Sequence, residues 1–272
     1  MKPLTVTTIQ ADLHWENKQA NLDMFEEKIN AVKEKMEVVI LPEMFSTGFS
    51  MKPSALAEKM DGASVDWMKR IAASKKIILT GSLIIEEGGH YYNRLIWMLP
   101  NGEYGYYDKR HLFGYAEEDE HYTPGFKRFI ASVKGWKVNL QVCYDLRFPV
   151  WARQAKPLVQ ESPDIIVDSP EYDLLVYVAN WPERRSHAWK TLLQARAIEN
   201  QCYVVGVNRI GNDGNQIYHN GNTMIVNAMG EIIYTANDRE EAYSSTLSLE
   251  ELNEVRNKLP FLKDADAFMM GS

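Results

Sequence analysis

Three apolar runs leave this chain little freedom in how it folds. Val38-Val39-Ile40-Leu41 and Leu174-Leu175-Val176-Tyr177-Val178-Ala179 are unbroken, and Cys202 to Val207 is a clean stretch of similar size. Strands with one wet face alternate instead, so these runs read as strands covered on both faces. Segments of helical period lie between the strands. Leu22, Phe25, Ile29, Val32 and Met36 recur at helix spacing, Ser64 is read as the N-cap of a helix running to Lys76, and Ser186 to Asn200 reads as another. Hairpins interrupt the alternation at Glu87-Gly88-Gly89-His90, Pro100-Asn101-Gly102 and Asn227-Ala228-Met229-Gly230-Glu231. The expected class is α/β, with helices packed outside a mixed sheet or a pair of sheets.

Composition decides what else is open. A chain of 272 residues with a 45% hydrophobic fraction has the material for a sizeable core, as one large domain or two tight halves. Its net charge of −7, with no Lys/Arg block longer than two residues, argues against nucleic acid as a partner. No apolar run approaches the ~20 residues of a bilayer span, and the first residues turn polar too soon for a secretory core, so a cytoplasmic protein without a membrane partner is expected. Cys143 and Cys202 form no CxxC, no histidines pair as HxH or HExxH, and no phosphate-binding glycine loop occurs. No metal or organic cofactor is expected.

The chemistry-bearing residues sit where strands stop. Glu43 follows Leu41-Pro42, Cys143 follows Gln141-Val142, and Asn180 follows Val178-Ala179. In α/β sheets the crevice beyond the carboxyl ends of strands is where ligands bind. A carboxylate at a covered strand end suits a general base, and a cysteine between strand and helix start suits a nucleophile. Salt-bridge and core readings of the same residues stand beside these, and for Cys202 the core reading is the stronger. Lys109 stands at the mouth of a long, aperiodic segment from Lys109 to Lys127, whose run Glu117-Glu118-Asp119-Glu120 reads most simply as a solvated acidic turn. His121 and His219 leave a Cys–His protease open as an alternative.

Leu41-Pro42-Glu43-Met44-Phe45, Asp108-Lys109-Arg110-His111-Leu112-Phe113, Glu120-His121-Tyr122-Thr123-Pro124-Gly125 and Val142-Cys143-Tyr144-Asp145-Leu146-Arg147-Phe148-Pro149 occur in that order. Together they resemble the carbon–nitrogen hydrolases of the nitrilase superfamily, over Thr5 to about Phe268. The resemblance implies a four-layer αββα sandwich, paired into a homodimer. It places a Glu–Lys–Cys catalytic set on Glu43, Lys109 and Cys143, and a second, positioning glutamate on Glu120. The thiolate of Cys143 would attack an amide carbonyl, Glu43 would move protons, and Lys109 with the backbone N–H of Tyr144 would hold the oxyanion.

Phe45-Ser46-Thr47-Gly48-Phe49, Val178-Ala179-Asn180-Trp181-Pro182 and Lys263-Asp264-Ala265-Asp266-Ala267-Phe268 look most like the omega-amidase branch, which acts on 2-oxoglutaramate and 2-oxosuccinamate. The substrate carboxylate then needs a cation. Arg184 and Arg185 are the candidates, with Phe45, Tyr115 and Trp181 as walls and Arg147 as a structural ion-pair residue. The branch reading has rivals in an N-carbamoyl hydrolase, a nitrilase and a non-catalytic module of the same fold. One hydrolase domain over residues 1–272 is expected, with a surface insertion at 156–171.

Overall fold

The computed structural model describes residues 2–154 and 170–266, so all but the last two residues of the expected insertion lie outside the described residues, as do Ala267 and Phe268. Two six-stranded sheets carry the fold. In chain order the strands of the first are β1 (Leu4–Gln10), β2 (Val38–Ile40), β3 (Ile78–Glu87), β4 (His90–Met98) and β5 (Tyr104–Asp108). The second begins with β6 (Ile130–Val133), β7 (Trp136–Val142), β8 (Leu174–Val178) and β9 (Tyr203–Val207). A separate ribbon of β10 (Ile210–Asn212) and β11 (Tyr218–Asn220) follows, then β12 (Met224–Val226) and β13 (Ile232–Thr235) complete the second sheet. Finally β14 (Glu241–Leu247) returns to the first sheet, antiparallel to β1.

The apolar runs became the centres of these sheets. β1, β2 and β3 are parallel neighbours, as are β7, β8 and β9. Val38 and Ile40 face one way, into a core shared with Val138, Leu140, Val176 and Val178 of the other sheet. Val39 and Leu41 face the other way, against Phe25 and Ile29 of α1 (Lys18–Ala31) and Met68 and Ile71 of α3 (Ala63–Lys75). Between those helices lies the single turn α2 (Pro53–Leu56). The four layers are therefore αββα, as the resemblance implied. On the far side, Trp189 and Leu193 of α6 (Ser186–Asn200) cover the second sheet. A Cβ on Gly206 would stand 2.6 Å from Leu193 and 2.8 Å from Trp189, so this strand position must be glycine for α6 to lie so close. Among the described residues no helix is long and apolar enough to cross a membrane.

Several local expectations are corrected. Gly62, not Ser64, is the N-cap of α3, because the carboxylate of Glu58 accepts from the Ser64 N–H at 3.1 Å and does the capping from outside the helix. The long segment after Lys109 contains a 3₁₀ turn at Gly114–Ala116 and the turn α4 (Glu118–His121). Beyond Cys143 the chain makes a 3₁₀ turn, Cys143–Arg147, and only then the short α5 (Pro149–Ala152). β14 and α7 (Leu249–Lys258) had not been read from the sequence at all.

Candidate active site

Segments leaving both sheets meet in one buried cluster. Two residues past Leu41, Glu43 is fully buried, and the backbone beside it turns tightly, with Met44 at φ +45° and its N–H donated to Ser82 Oγ at 2.8 Å. Lys109 follows β5 directly and is 1% exposed. Its carbonyl accepts from Gly125 N–H at 2.9 Å, where a Cβ would lie 2.1 Å from the Asp108 carbonyl; Gly125 lets the loop fold back over the lysine. Cys143 follows β7 at φ +45°, a left-handed conformation that costs a non-glycine residue about 1–2 kcal/mol and is tolerated where surroundings hold it. That conformation turns the chain sharply out of the sheet at the thiol.

The hydrogen bonds define the cluster. Lys109 Nζ donates to Glu43 Oε1 at 2.9 Å and to Glu118 Oε1 and Oε2 at 3.0 and 2.8 Å. Asn93 Nδ2 reaches the same two carboxylates at 2.8 and 3.2 Å. Asn180 holds Glu43 twice: its N–H donates to Oε2 at 2.8 Å, and its Nδ2 to the Glu43 carbonyl at 2.6 Å. Burial disfavours the Lys109 ammonium, but Glu118 and Glu43 outweigh it and hold its pKa well above the usual lysine range. Lys109 therefore stays a cation and cannot act as the base. Burial, with the repulsion of Glu43, pushes the Cys143 thiol well up, against the pull of Lys109. Burial likewise raises Glu118, which Lys109 opposes. A neutral thiol beside carboxylates and an ammonium can gain nucleophilicity only by losing its proton as it attacks.

The structure brings Glu43, Lys109 and Cys143 together but not Glu120. Glu120 is exposed and lines a separate groove with His121 and His90, whereas Glu118 is fully buried against Lys109. The left-handed Glu117, at φ +60°, starts α4 so that Glu118 enters the site, and Phe113 N–H fixes it at 2.6 Å. One member of an acidic run read as solvated is thus a core residue; no pattern distinguishes Glu118 from its acidic neighbours. Phe45 is also corrected. It packs behind the sheet, 5.7 Å from Phe25 and 5.8 Å from Trp67 between ring centroids, in the layer of α1 and α3. Phe49 takes the position in front, its ring centroid 5.1 Å from Lys109 Nζ.

A cavity of about 300 Å³ opens onto Cys143. Tyr115, Trp181, Arg184 and Arg185 line it, and Tyr144, Phe49, Phe113 and Arg147 join them. Arg147 makes no ion pair with any described residue; its guanidinium lies 5.2 Å from the Trp181 ring centroid, and that of Arg185 5.1 Å from Phe113. Burial first, and then the charges of Arg184 and Arg147, lower the pKa of Arg185. Glu117 and Asp213 share the lining, but Asp213 Oδ1 is engaged by the N–H groups of Asn215 and Ile217. His219 is buried at the same wall. Its Nδ1–H donates to the Ile217 carbonyl at 2.9 Å, and burial with Arg209 pushes its pKa down to about 4. No hydrogen bond joins it to Cys143 among the described residues. Nor do three His, Cys, Asp or Glu side chains there group as a metal site.

Residues 5–257 match the carbon-nitrogen hydrolase family. The chain belongs to that family. It is a hydrolase of carbon–nitrogen bonds with the nitrilase-type fold. It is 40% identical over 271 residues to the omega-amidase YafV of Escherichia coli K12, covering 99% of this chain and 100% of that one. The 2-oxoglutaramate amidase of Bacillus subtilis is 27% identical over 263 residues, 96% of each chain. Among solved structures, a carbon-nitrogen hydrolase superfamily protein of Xanthomonas campestris with an arsenic adduct in its active site aligns over 100% of both chains, with 39% identity and a TM-score of 0.94.

Proposed function

We propose that this carbon-nitrogen hydrolase is an omega-amidase that releases ammonia from the terminal amide of 2-oxoglutaramate and 2-oxosuccinamate. The observation that carries the reading is the cavity itself. Cys143 of the buried cluster opens into it, and Arg147, Arg184 and Arg185 stand in its lining with no carboxylate among the described residues paired to any of them. In a protein of net charge −7, three unpaired guanidiniums beside a thiol favour a substrate that brings its own carboxylate. Tyr115 and Trp181 serve as walls, and the relatives named omega-amidase and 2-oxoglutaramate amidase support the reading.

Cys143 Sγ attacks the amide carbon while Glu43 accepts the thiol proton. The oxyanion forms between Lys109 Nζ and the Tyr144 N–H, which belongs to the first, internally unpaired N–H groups of the turn Cys143–Arg147. Glu43 returns the proton to nitrogen, ammonia leaves, and a thioester remains on Cys143. Glu43 next takes a proton from water, hydroxide adds to the thioester, and collapse frees the oxo-diacid while Glu43 returns the proton to the departing Cys143 sulfur. Glu118 fills the positioning role expected of Glu120, holding the ammonium with both oxygens. The reading takes the whole chain as one hydrolase domain and, following the family resemblance, a cytoplasmic homodimer.

Ammonia release from 2-oxoglutaramate, set against an N-carbamoyl amino acid and a nitrile with Cys143→Ala as control, tests the substrate. Turnover of the oxo-amide well above the others is expected; none at all refutes it.

A further inference from the structure

Behind the reacting groups lies a carboxylate that the mechanism does not use. Asp145 is fully buried, and its two oxygens accept four hydrogen bonds. Oδ2 takes the Val142 N–H at 3.0 Å and the Tyr107 hydroxyl at 2.8 Å. Oδ1 takes the His111 N–H at 3.0 Å and contacts His111 Nδ1 at 2.8 Å. Four acceptor sites with four partners account for the usual capacity of a carboxylate.

The partners are informative by position. Val142 immediately precedes Cys143, so its bond to Asp145 closes the turn in which Cys143 holds φ +45°. Tyr107 and His111 stand two residues before and two after Lys109. One side chain thus ties the end of β7, in the second sheet, to the chain leaving β5, in the first. The tie is reinforced: Tyr107 Oη accepts from Arg110 N–H at 3.1 Å and Trp151 Nε1–H at 2.9 Å, and the His111 ring stacks on Phe148 at 3.8 Å.

We infer that Asp145 is a positioning residue, which sets the separation of the Cys143 thiol from the Lys109 ammonium by holding the backbone on either side of both. The inference rests on the reading that these two groups carry the reaction. An oxyanion donor acts only within a few tenths of an ångström of its place, and misplacement lowers turnover while leaving substrate binding to the cavity walls.

The test is Asp145→Asn, which keeps shape but turns an N–H₂ group toward N–H or O–H donors, together with Tyr107→Phe, which removes one bond and keeps the ring. Rates are expressed per folded molecule, with the folded fraction of each variant taken from its near-ultraviolet circular dichroism, so unfolded molecules are not counted. We expect Asp145→Asn to lower kcat by roughly 10²-fold with KM within about threefold, the scale of a lost oxyanion donor. Tyr107→Phe should lower kcat several-fold, and the double variant should be no worse than Asp145→Asn alone, because both act through one network. If Asp145→Asn fails to fold, Tyr107→Phe decides alone. Unchanged kcat per folded molecule in the variants that fold would overturn the inference. An active Cys143→Ala would instead overturn the mechanism on which it rests.

Discussion

The two cysteines of this chain occupy sites that burial alone does not separate. Cys143 is 9% exposed and Cys202 fully buried, both are free thiols, and burial is the largest influence raising the pKa of each. Their surroundings differ completely. Cys202 sits just ahead of β9 in the core, its sulfur 3.9 Å from the Arg196 carbonyl, and the charges that reach it are those of Arg256, Asp173 and Glu199, none of them part of the cavity's cluster. Cys143 ends a parallel strand in a left-handed turn, opens onto the cavity, and lies within the electrostatic reach of Glu43, Lys109 and Glu118. Reactivity in this fold therefore comes from where a strand stops and what the other sheet brings to that point.

The sharpest way to break the comparison is to exchange the loss. Cys143→Ala should abolish ammonia release, a fall of at least about 10⁴-fold, as removal of a nucleophile does in comparable hydrolases. Cys202→Ala should leave kcat within about twofold and lower stability by about 1 kcal/mol, the cost of a small buried group. Turnover measurements and denaturant titration on both variants check this, and a large kcat loss in the Cys202 variant would show that the core around β9 participates.

A second comparison lies within the acidic run beside Lys109. Glu118→Ala removes both oxygens on the Lys109 ammonium and should lower kcat by about 10²–10³-fold, in line with loss of an electrostatic stabiliser. Glu120→Ala changes an exposed side chain in another groove and should leave steady-state rates within about twofold. The reverse ranking would restore the role to Glu120.

These contrasts also mark how far the sequence could be read. The unbroken run Val38 to Leu41 placed a covered strand, and the polar residues past three strand ends, Glu43, Cys143 and Asn180, were assigned to one crevice, because residues past parallel strand ends have only the crevice to enter. Ser186–Asn200 came out with its observed bounds for the same reason: its pattern reports burial. Glu118 did not, since its inward direction depends on the positive φ of Glu117 and the N–H of Phe113, which leave no periodic trace. Phe45 was placed on the wrong side because aromatic type does not reveal which sheet face a residue occupies. β14 joins β1 across more than two hundred residues, and its half-exposed sequence, Glu241-Ala242-Tyr243-Ser244-Ser245-Thr246-Leu247, shows neither a clean apolar run nor a clear alternation.

The finest contrast between the cysteines is how each responds to the loss of Glu43. At Cys143 the thiol is raised first by burial and then by the negative charge of Glu43, with Lys109 pulling the other way. Glu43→Gln removes the repulsion and leaves the ammonium, so the thiolate is stabilised and the thiol pKa must fall. Iodoacetamide labelling of Cys143 followed against pH should then have its midpoint at lower pH in Glu43→Gln than in the wild type, while ammonia release is largely lost because no base remains for proton transfer. Cys202, whose surroundings do not include Glu43, should label at the same negligible rate in both proteins. The two readouts move in opposite directions only if Glu43 acts as a base on a neutral thiol. A midpoint that rises in the variant would mean that the carboxylate stabilises the thiolate through the shared ammonium, and the resting site would then be an ion pair between Cys143 and Lys109.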